Sequence, residues 1–345
     1  SMVAEDMAGN VAEKITVDNI TFDSTGPEIT ILSPSSSIFT NQLYVDFSLN
    51  EQLQKAKIVL ERTGGPNDSS SPHEINLVDT ELAPASKTSI DINQQINLVS
   101  NAVYRISIEG VDIAGNTGIS NIIESITFDD IPPEISIISP DAETFINAPT
   151  LGLRSNEALK IASVDWVWLE GNEDSNSQHT SKLVGGTLDE GEYPQVKFNP
   201  EPSIVSGAWY SVTFNGVDRA GNPSSYDHGR LFFDNTPPEV SGLYPKKGSF
   251  INVAELSYSL NEDLIEGFVV WSPVNGTEVV KIDMLSNELL AGTFGIGTLN
   301  GQIGLADGVV YNIEISIKDK ALNETNSTLA ENITFDVTKP EFTQV

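Results

Sequence analysis

Apolar and polar residues alternate along most of this chain, and runs with helical spacing are hard to find. Leu43, Val45, Phe47 and Leu49 are separated by single polar or amphipathic residues, which is the period of a strand with one buried face. Within about 105 residues, seven such strands are predicted near 28–33, 42–49, 55–63, 74–78, 88–92, 103–112 and 119–127. Turn-forming residues separate them, so the pattern predicts an antiparallel sandwich.

The same pattern returns along the chain, marked by three short sequences that keep their order. At four places a Phe-Asp pair is followed a few residues later by a Pro-Glu pair. The phenylalanines of these pairs are 106, 105 and 102 residues apart, at Phe22, Phe128, Phe233 and Phe335. An Asn-Glu pair follows the second predicted strand, and an Asp-x-Ala-Gly-Asn turn follows the sixth. We therefore predict three repeats at 23–128, 129–234 and 235–336, the last strands of a preceding repeat at 1–22 and the start of a following repeat at 337–345.

A tyrosine stands at the start of the sixth predicted strand in each repeat, at Tyr104, Tyr210 and Tyr311. This is the place of the tyrosine corner in immunoglobulin-like sandwiches, whose hydroxyl bonds to nearby backbone groups. The alternative is a tyrosine that is merely half-buried in its strand. Trp166 and Trp271 align with Leu60, which predicts that both indoles lie in a core, whereas Trp168 and Trp209 are less constrained.

The turns, the Phe-Asp junctions and the Asn-Glu-x-Leu segments together resemble the bacterial immunoglobulin-like repeats of large secreted surface proteins and adhesins. The resemblance implies an all-β chain of tandem seven-stranded antiparallel immunoglobulin-like β-sandwiches in an extended row. It also implies an extracellular location at a cell surface and a non-enzymatic role as a stalk or spacer. One turn departs from the pattern, because Leu322 replaces glycine and leucine disfavours positive φ, so that turn is expected to have another shape.

Composition narrows the classes of function. The 18 basic and 49 acidic residues give a net charge of −31, which argues against nucleic acid and anionic membrane surfaces as partners. No apolar run is long enough for membrane insertion. Cysteine is absent, which excludes disulfides and cysteine-ligated zinc. His73-Glu74 begins like a zinc-protease motif but lacks the second histidine, so His73 and its counterpart His179 are predicted to pack in a loop.

The number of strands between them predicts where the three recurring short sequences, each of which contains an acidic residue, come together. In an antiparallel sandwich of seven strands, the second and sixth strands end where the chain enters, so the three marks of each repeat are expected to cluster at the junction with the preceding repeat. Such clusters of oxygen ligands suit Ca²⁺, which takes 6–8 of them. The candidate ligands are Asp23, Glu28, Glu51, Asp112 and Asn116 in the first repeat, Asp129, Glu134, Glu157, Asp218 and Asn222 in the second, and Asp234, Glu239, Glu262, Asp319 and Asn323 in the third.

Two interpretations of these clusters stay open at this point. Either they hold structural Ca²⁺ that stiffens each junction, or the same residues only shape tight turns and loops. The partners expected for a stalk are neighbouring repeats of the same chain, with any glycan or cell-surface ligand bound through other domains. The rival interpretations are a polysaccharide- or ligand-binding module, and an accessory segment of a secreted polysaccharide-degrading enzyme.

Overall fold

The computed structural model describes residues 1–298 and 304–342, which form two compact units by their internal contacts. The first unit contains residues 1–133, 158–160 and 217–224. The second contains residues 134–157, 161–216 and the described residues from 225 onwards. The repeat boundaries at residues 23, 129 and 235 stay a prediction from the sequence.

The first repeat folds into two sheets. One has three strands in the order β1-β3-β6, and the other has the order β2-β9-β7-β4-β5, with β8 paired to β7. The strands are β1 (Ile29–Ser33), β2 (Ile38–Thr40), β3 (Tyr44–Leu49), β4 (Leu53–Gly64), β5 (His73–Leu77), β6 (Ala85–Asp91), β7 (Ala102–Asp112), β8 (Thr117–Ile119) and β9 (Ile123–Phe128).

Both sheets of the first repeat contribute side chains to one apolar core. Phe47 of β3 and Ile58 of β4 are fully buried in the same cluster, as is Ile106 of β7. β7 alternates buried and half-buried side chains along all eleven residues, which is the two-residue period that the sequence showed. A common core between two sheets is the defining feature of a β-sandwich, and the predicted all-β sandwich fold is confirmed, while the extended row stays a prediction.

The first repeat has nine strands where seven were predicted, because the predicted segment 119–127 is divided between β8 and β9 and because β2 is additional. The segment Ile38–Thr40 pairs in parallel with β9, with Phe39 opposite Thr127, so the pairing is not purely antiparallel. Ser and Pro precede it and only three residues pair, too few to show alternation. This strand places Phe39 beside the exit of the repeat, because the Asp129 N–H donates to the Thr40 carbonyl at 2.9 Å.

The second and third repeats have the same sheet orders, β10-β12-β15 with β11-β17-β16-β13-β14, and β18-β20-β23 with β19-β25-β24-β21-β22. The strands of the second are β10 (Ile135–Ser139), β11 (Phe145–Ile146), β12 (Leu151–Ser155), β13 (Leu159–Gly171), β14 (His179–Lys182), β15 (Gly191–Val196), β16 (Ala208–Asp218) and β17 (Pro223–Phe233). Those of the third are β18 (Val240–Tyr244), β19 (Phe250–Ile251), β20 (Leu256–Leu260), β21 (Leu264–Pro273), β22 (Val280–Asp283), β23 (Gly292–Thr298), β24 (Val309–Asp319) and β25 (Glu324–Phe335).

Helical structure is limited to 3-10 turns across residues 1–298 and 304–342. These turns are Asp79–Leu82, Gly185–Leu188 and Ser286–Glu288. No helix in that part of the chain is long and apolar enough to cross a membrane.

The tyrosine corners and the core tryptophans are confirmed. Each of the three tyrosine hydroxyls accepts a backbone N–H from the residue five positions upstream, at 2.9, 2.7 and 2.9 Å for Tyr104, Tyr210 and Tyr311. Trp166 and Trp271 are fully buried. Because these interactions recur in the three repeats, one corner geometry underlies all three sandwiches.

Residues 1–22 form a loose hairpin. Met2 bridges Ile15 and Glu5 bridges Val11, and the turn between them is closed by Asp6, whose carboxylate accepts the Asn10 N–H at 2.9 Å. The turn chemistry is therefore that of the Asp-x-Ala-Gly-Asn turns in the complete repeats.

Candidate metal centres

The first and third candidate centres each draw on three chain segments that the fold brings together. In the first repeat, Asp112 ends β7, Glu51 lies in the short loop between β3 and β4, and Asp23 lies in the segment before β1. β7 pairs with β4 so that Asp112 lies opposite Leu53, two residues after Glu51. The parity argument made from the sequence thus describes the observed arrangement.

The first cluster consists of Asp23, Glu51 and Asp112. One carboxylate oxygen from each lies within 4.8 Å of the others, and Asp112 is only 1% exposed. Two oxygens on opposite sides of a calcium ion at a Ca–O distance of about 2.4 Å lie about 4.8 Å apart. The spacing therefore suits oxygens that share one cation of this size.

The third-repeat cluster rebuilds the same set from Asp234, Glu262 and Asp319. Its three carboxylate oxygens also lie within 4.8 Å of one another, and Asp319 is buried as fully as Asp112. Asp234 is oriented by two donors, the Thr236 N–H at 3.0 Å and the Ser206 hydroxyl at 2.9 Å. The arrangement thus depends on the repeat pattern and not on one local loop.

The second predicted set is divided between the two units. Asp129, Asp218 and Asn222 belong to the first unit, and Glu157 belongs to the second. Within the first unit, both oxygens of Asp218 accept bonds from Asn222, at 2.8 Å from its N–H and 2.7 Å from its side-chain amide. Asp129 and Asp218 are buried. The shared role of this set stays a prediction from the sequence.

The turn asparagines act as donors. The Asn116 side-chain amide donates to Asp112 Oδ2 at 2.8 Å and to the Asp23 carbonyl at 3.3 Å, and Asn323 repeats this towards Asp319 Oδ2 and the Asp234 carbonyl, both at 2.8 Å. Each asparagine thereby ties the turn to the junction. Its predicted place beside the carboxylates is found, but the structure gives it a positioning contact instead of an oxygen directed at the cluster.

The glutamates after the junction prolines lie outside the two three-carboxylate groups. Glu28, Glu134 and Glu239 are exposed, and their backbone N–H groups donate to Asn50, Asn156 and Asn261 Oδ1 at 2.9, 2.8 and 2.7 Å. The Asn of each Asn-Glu pair therefore fixes the first strand, while the Glu that follows it supplies the clustered carboxylate in the first and third repeats.

The turn with Leu322 keeps its shape, against expectation. The Asp319 N–H donates to the Asn323 carbonyl at 3.1 Å, as the Asp112 N–H does to Asn116 at 3.0 Å, and Leu322 takes a φ of 71° to allow it. Leucine in this region costs about 1 kcal/mol relative to glycine. The hydrogen bonds of Asp319 outweigh that strain, so the side chain before the asparagine does not decide the turn.

The two three-carboxylate clusters carry unbalanced negative charge. Among residues 1–298 and 304–342, no lysine or arginine forms an ion pair with any of their six carboxylates, and Lys320 pairs with the neighbouring Asp263 at 3.4 Å instead. Burial and the carboxylates of Asp112 and Asp23 raise the pKa of Glu51. Burial and the carboxylates of Asp234 and Asp319 raise the pKa of Glu262 to about 6. Both glutamates therefore resist ionisation when no cation is present.

Glu262→Gln is expected to stabilise the metal-free chain at pH 7.5. The folded-state pKa of about 6 exceeds the ordinary 4.5, so the favourable contribution of the protonated carboxyl is complete below pH 4.5 and is lost as the pH rises through 6. Solvent screening of this partly exposed side chain keeps the gain to about 1 kcal/mol. Chemical unfolding in EGTA measures this gain in stability, with the exposed Glu239→Gln as control. Equal stabilities of Glu262→Gln and the native chain at pH 7.5 would contradict the claim that the ionised Glu262 is destabilised by its surroundings.

A buried polar network in the first repeat was missed by the sequence reasoning. Asp68 Oδ2 accepts the Tyr104 hydroxyl at 2.7 Å and lies 2.6 Å from His73 Nε2, and the Ser70 N–H donates to Oδ1 at 2.9 Å. Burial by itself raises the pKa of Asp68, but these hydrogen bonds together hold it below its usual value. The second repeat has the same network from Asp174, His179 and Tyr210. The signal in the sequence was that the third repeat lacks the Asp and the His together.

The two tryptophans outside the core, Trp168 and Trp209, make contacts with other residues of the chain. The Arg230 guanidinium lies 4.4 Å from the ring centroid of Trp209 and is held by Glu143 and Glu170, both at 2.9 Å. The Trp168 indole N–H donates to the Asn172 carbonyl at 2.9 Å. These contacts give both indoles a structural role.

No family model matches the chain, and no curated protein matches it by sequence. Among solved structures, it is similar to the tetra-tandem repeat in the extending region of a large adhesion protein, at 17% identity and a TM-score of 0.29 over 95% of this chain and 80% of that one. It is also similar to a structure from a 1.5-MDa bacterial ice-binding adhesin, at 12% identity and 0.31 over 91% and 100%. The FN1–FN3 domains of chicken CNTN1 match at 13% identity and 0.31 over 89% and 100%.

Proposed function

We propose that this chain is a non-enzymatic structural stalk, a spacer of a large extracellular surface or adhesin protein, with Ca²⁺ held at its repeat junctions. The observation that carries the proposal is the rebuilding of one carboxylate cluster in separate repeats, as Asp23, Glu51 and Asp112 and again as Asp234, Glu262 and Asp319. A catalytic site needs to be built once. A structural ion site has to be built at every junction that it stiffens.

Calcium is the ion that best suits the donor set. All of the clustered side chains offer hard carboxylate oxygens, and Ca²⁺ accepts six to eight oxygens at 2.3–2.6 Å in flexible geometry. Zinc prefers nitrogen and sulfur ligands, but the chain has no cysteine and its clusters contain no histidine. Magnesium demands near-ideal octahedral geometry at about 2.1 Å and keeps much of its water.

Calcium would also resolve the charge conflict of the clusters. Burial, together with the repulsion between the three carboxylates of each cluster, raises the pKa of Glu51 and of Glu262. A divalent cation supplies the compensating charge that no lysine or arginine among the described residues provides there. Because each cluster joins a junction aspartate to two loops of the following sandwich, bound calcium would restrain the junction.

Pulling the chain by its ends tests the stalk proposal. We expect three separate unfolding steps of similar size, since about 105 residues at about 3.5 Å each release roughly 330 Å once the folded span is subtracted. Calcium is expected to raise the force of these steps, and EGTA to lower it, because a ligand that binds only the folded state stabilises it. A single concerted step, or forces that do not respond to calcium, would contradict the proposal.

A further inference from the structure

A second kind of contact, separate from the carboxylate clusters, occurs in the first unit between β2 and the turn at 218–222. The Asn41 N–H donates to the Ala220 carbonyl at 3.2 Å, and the Asn41 side-chain amide donates to Asn222 Oδ1 at 3.0 Å. The Arg219 guanidinium lies 5.9 Å from the centroid of the Phe39 ring. Backbone, amide and ring contacts thus converge on a three-residue surface, 39–41, which we call the Phe-x-Asn surface.

The Phe-x-Asn surface returns in each repeat, at 39–41, 145–147 and 250–252. Its ring contact also recurs, because the Lys320 ammonium lies 5.9 Å from the Phe145 centroid within the second unit. The cation in both cases is the residue directly after the turn aspartate, Arg219 or Lys320. A cation at this distance from an aromatic face is attracted by the ring quadrupole.

The third copy of the surface is built in the same way. β19 pairs in parallel with β25, as β2 does with β9, and the Asp336 N–H donates to the Ile251 carbonyl at 2.9 Å, as the Asp129 N–H does to Thr40. Phe250, however, is 76% exposed, whereas Phe39 is 46% exposed beneath its arginine. The third surface therefore presents an aromatic ring and an exposed Asn252 on the same rigid backbone.

We propose that residues 250–252 are a docking surface for the Asp-x-Ala-Gly-Asn turn of a further tandem repeat with arginine or lysine at x. The ring would take the cation, and the Asn252 N–H would donate to the turn carbonyl, as Phe39 and Asn41 do. The proposal rests on the tandem stalk but not on calcium, because no cluster carboxylate takes part in the contacts at 39–41.

A second copy of this chain fits the surface poorly. Its Arg219 and Lys320 already lie against Phe39 and Phe145, and its other two turns carry Met7 and Ile113 at position x, neither of which supplies a cation. A net charge of −31 also opposes association between free copies. A tandem repeat avoids this cost, because a short linker holds its turn at a high effective concentration. The occupant is therefore a turn in the same polypeptide.

The test places one further repeat directly after Asp336, in place of residues 337–345. Residues 1–336 are followed by a copy of 130–234, which keeps the junction register because Asp336 is the counterpart of Asp129. Hydrogen exchange is measured in EGTA, with Asn41 as internal reference. The Asn252 N–H is expected to exchange at least tenfold more slowly than in the unextended chain, and Arg219→Glu within the appended copy or Phe250→Ala is expected to abolish the slowing.

Three outcomes would overturn the proposal. One is an unchanged Asn252 exchange rate while Asn41 stays protected and the appended repeat is folded by circular dichroism. Another is slowing that survives Arg219→Glu in the appended copy, which would remove the role of the cation. The third is equal slowing in the unextended chain at high concentration, which would assign the surface to a second copy. Because every sample contains EGTA, the hydrogen-exchange result does not depend on whether the carboxylate clusters bind calcium.

Discussion

Replacing Asp68 with alanine is expected to destabilise the first repeat by roughly 3 kcal/mol. The carboxylate is buried and accepts three hydrogen bonds, and its loss leaves the His73 ring and the Tyr104 hydroxyl without their acceptor in an apolar surrounding. Hydrogen exchange read strand by strand measures the effect, because β4 and β7 report the first repeat while β21 and β24 report the third. The loss should appear in the former strands alone.

The third repeat supplies a matched control for this network. Tyr104→Phe removes a donor to Asp68 and the acceptor of the Val99 N–H, whereas Tyr311→Phe removes only the acceptor of the Ala306 N–H among the bonds described. Tyr104→Phe is therefore expected to cost more than Tyr311→Phe. Equal costs, or an Asp68→Ala variant with unchanged exchange in β4 and β7, would show that the buried carboxylate is not a stabilising element.

The Asp68 network also has a defined dependence on pH. Its folded-state pKa lies below the usual value, so its contribution is present above the unfolded pKa of about 3.8 and is lost as the pH falls through the folded value. The stability difference between the native chain and Asp68→Asn, measured by chemical unfolding, is therefore expected to shrink as the pH falls below about 3.8.

Saturating calcium is expected to raise the unfolding temperature of the native chain. A site that binds only the folded state contributes about 2.7 kcal/mol at a ligand concentration one hundred times the dissociation constant. Glu51→Gln and Glu262→Gln should each remove the response of their own repeat, because a neutral amide weakens a site made of carboxylates. Glu28→Gln and Glu239→Gln are matched controls, since both glutamates are exposed and lie outside the clusters.

These variants separate a metal site from turn chemistry by the sign of their effects. Where the carboxylates serve an ion, Glu262→Gln stabilises the chain in EGTA and weakens it, relative to the native chain, in calcium. Where they only shape a loop, the variant has one effect that calcium does not change. Asp112 is unsuitable for this comparison, because its carboxylate also accepts the Asn116 bonds that close the turn.

Much of the fold and of the clusters followed from sequence because the repeat converts spacing into geometry. Alternation located β3 and β7, and strand parity then placed Glu51 and Asp112 at one end of the sandwich. The three residues of β2 are too few to show an alternation of apolar and polar side chains, so its parallel pairing and the contacts of Phe39 could not be predicted from the sequence. The donor role of Asn116 depends on which amide atom faces Asp112, which residue type alone does not decide.

Two further features lay beyond sequence reasoning for other physical reasons. The network of Asp68, His73 and Tyr104 joins residues 36 positions apart through a loop without periodicity. Leu322 was expected to change the shape of its turn, because leucine disfavours a positive φ. The hydrogen bonds that Asp319 accepts hold the turn in place, and they contribute more than the backbone strain at Leu322 costs.

The central claim is tested most directly by calorimetric titration of calcium into the intact chain after treatment with EGTA. We expect saturable binding with at least two ions per chain, one fewer in Glu51→Gln and one fewer in Glu262→Gln. Near pH 6 the third-repeat site is also expected to release protons, because the cation displaces the proton that the raised pKa of Glu262 retains. An absence of saturable heat, together with an unfolding temperature that calcium does not change, would contradict the claim that the carboxylate clusters are calcium sites.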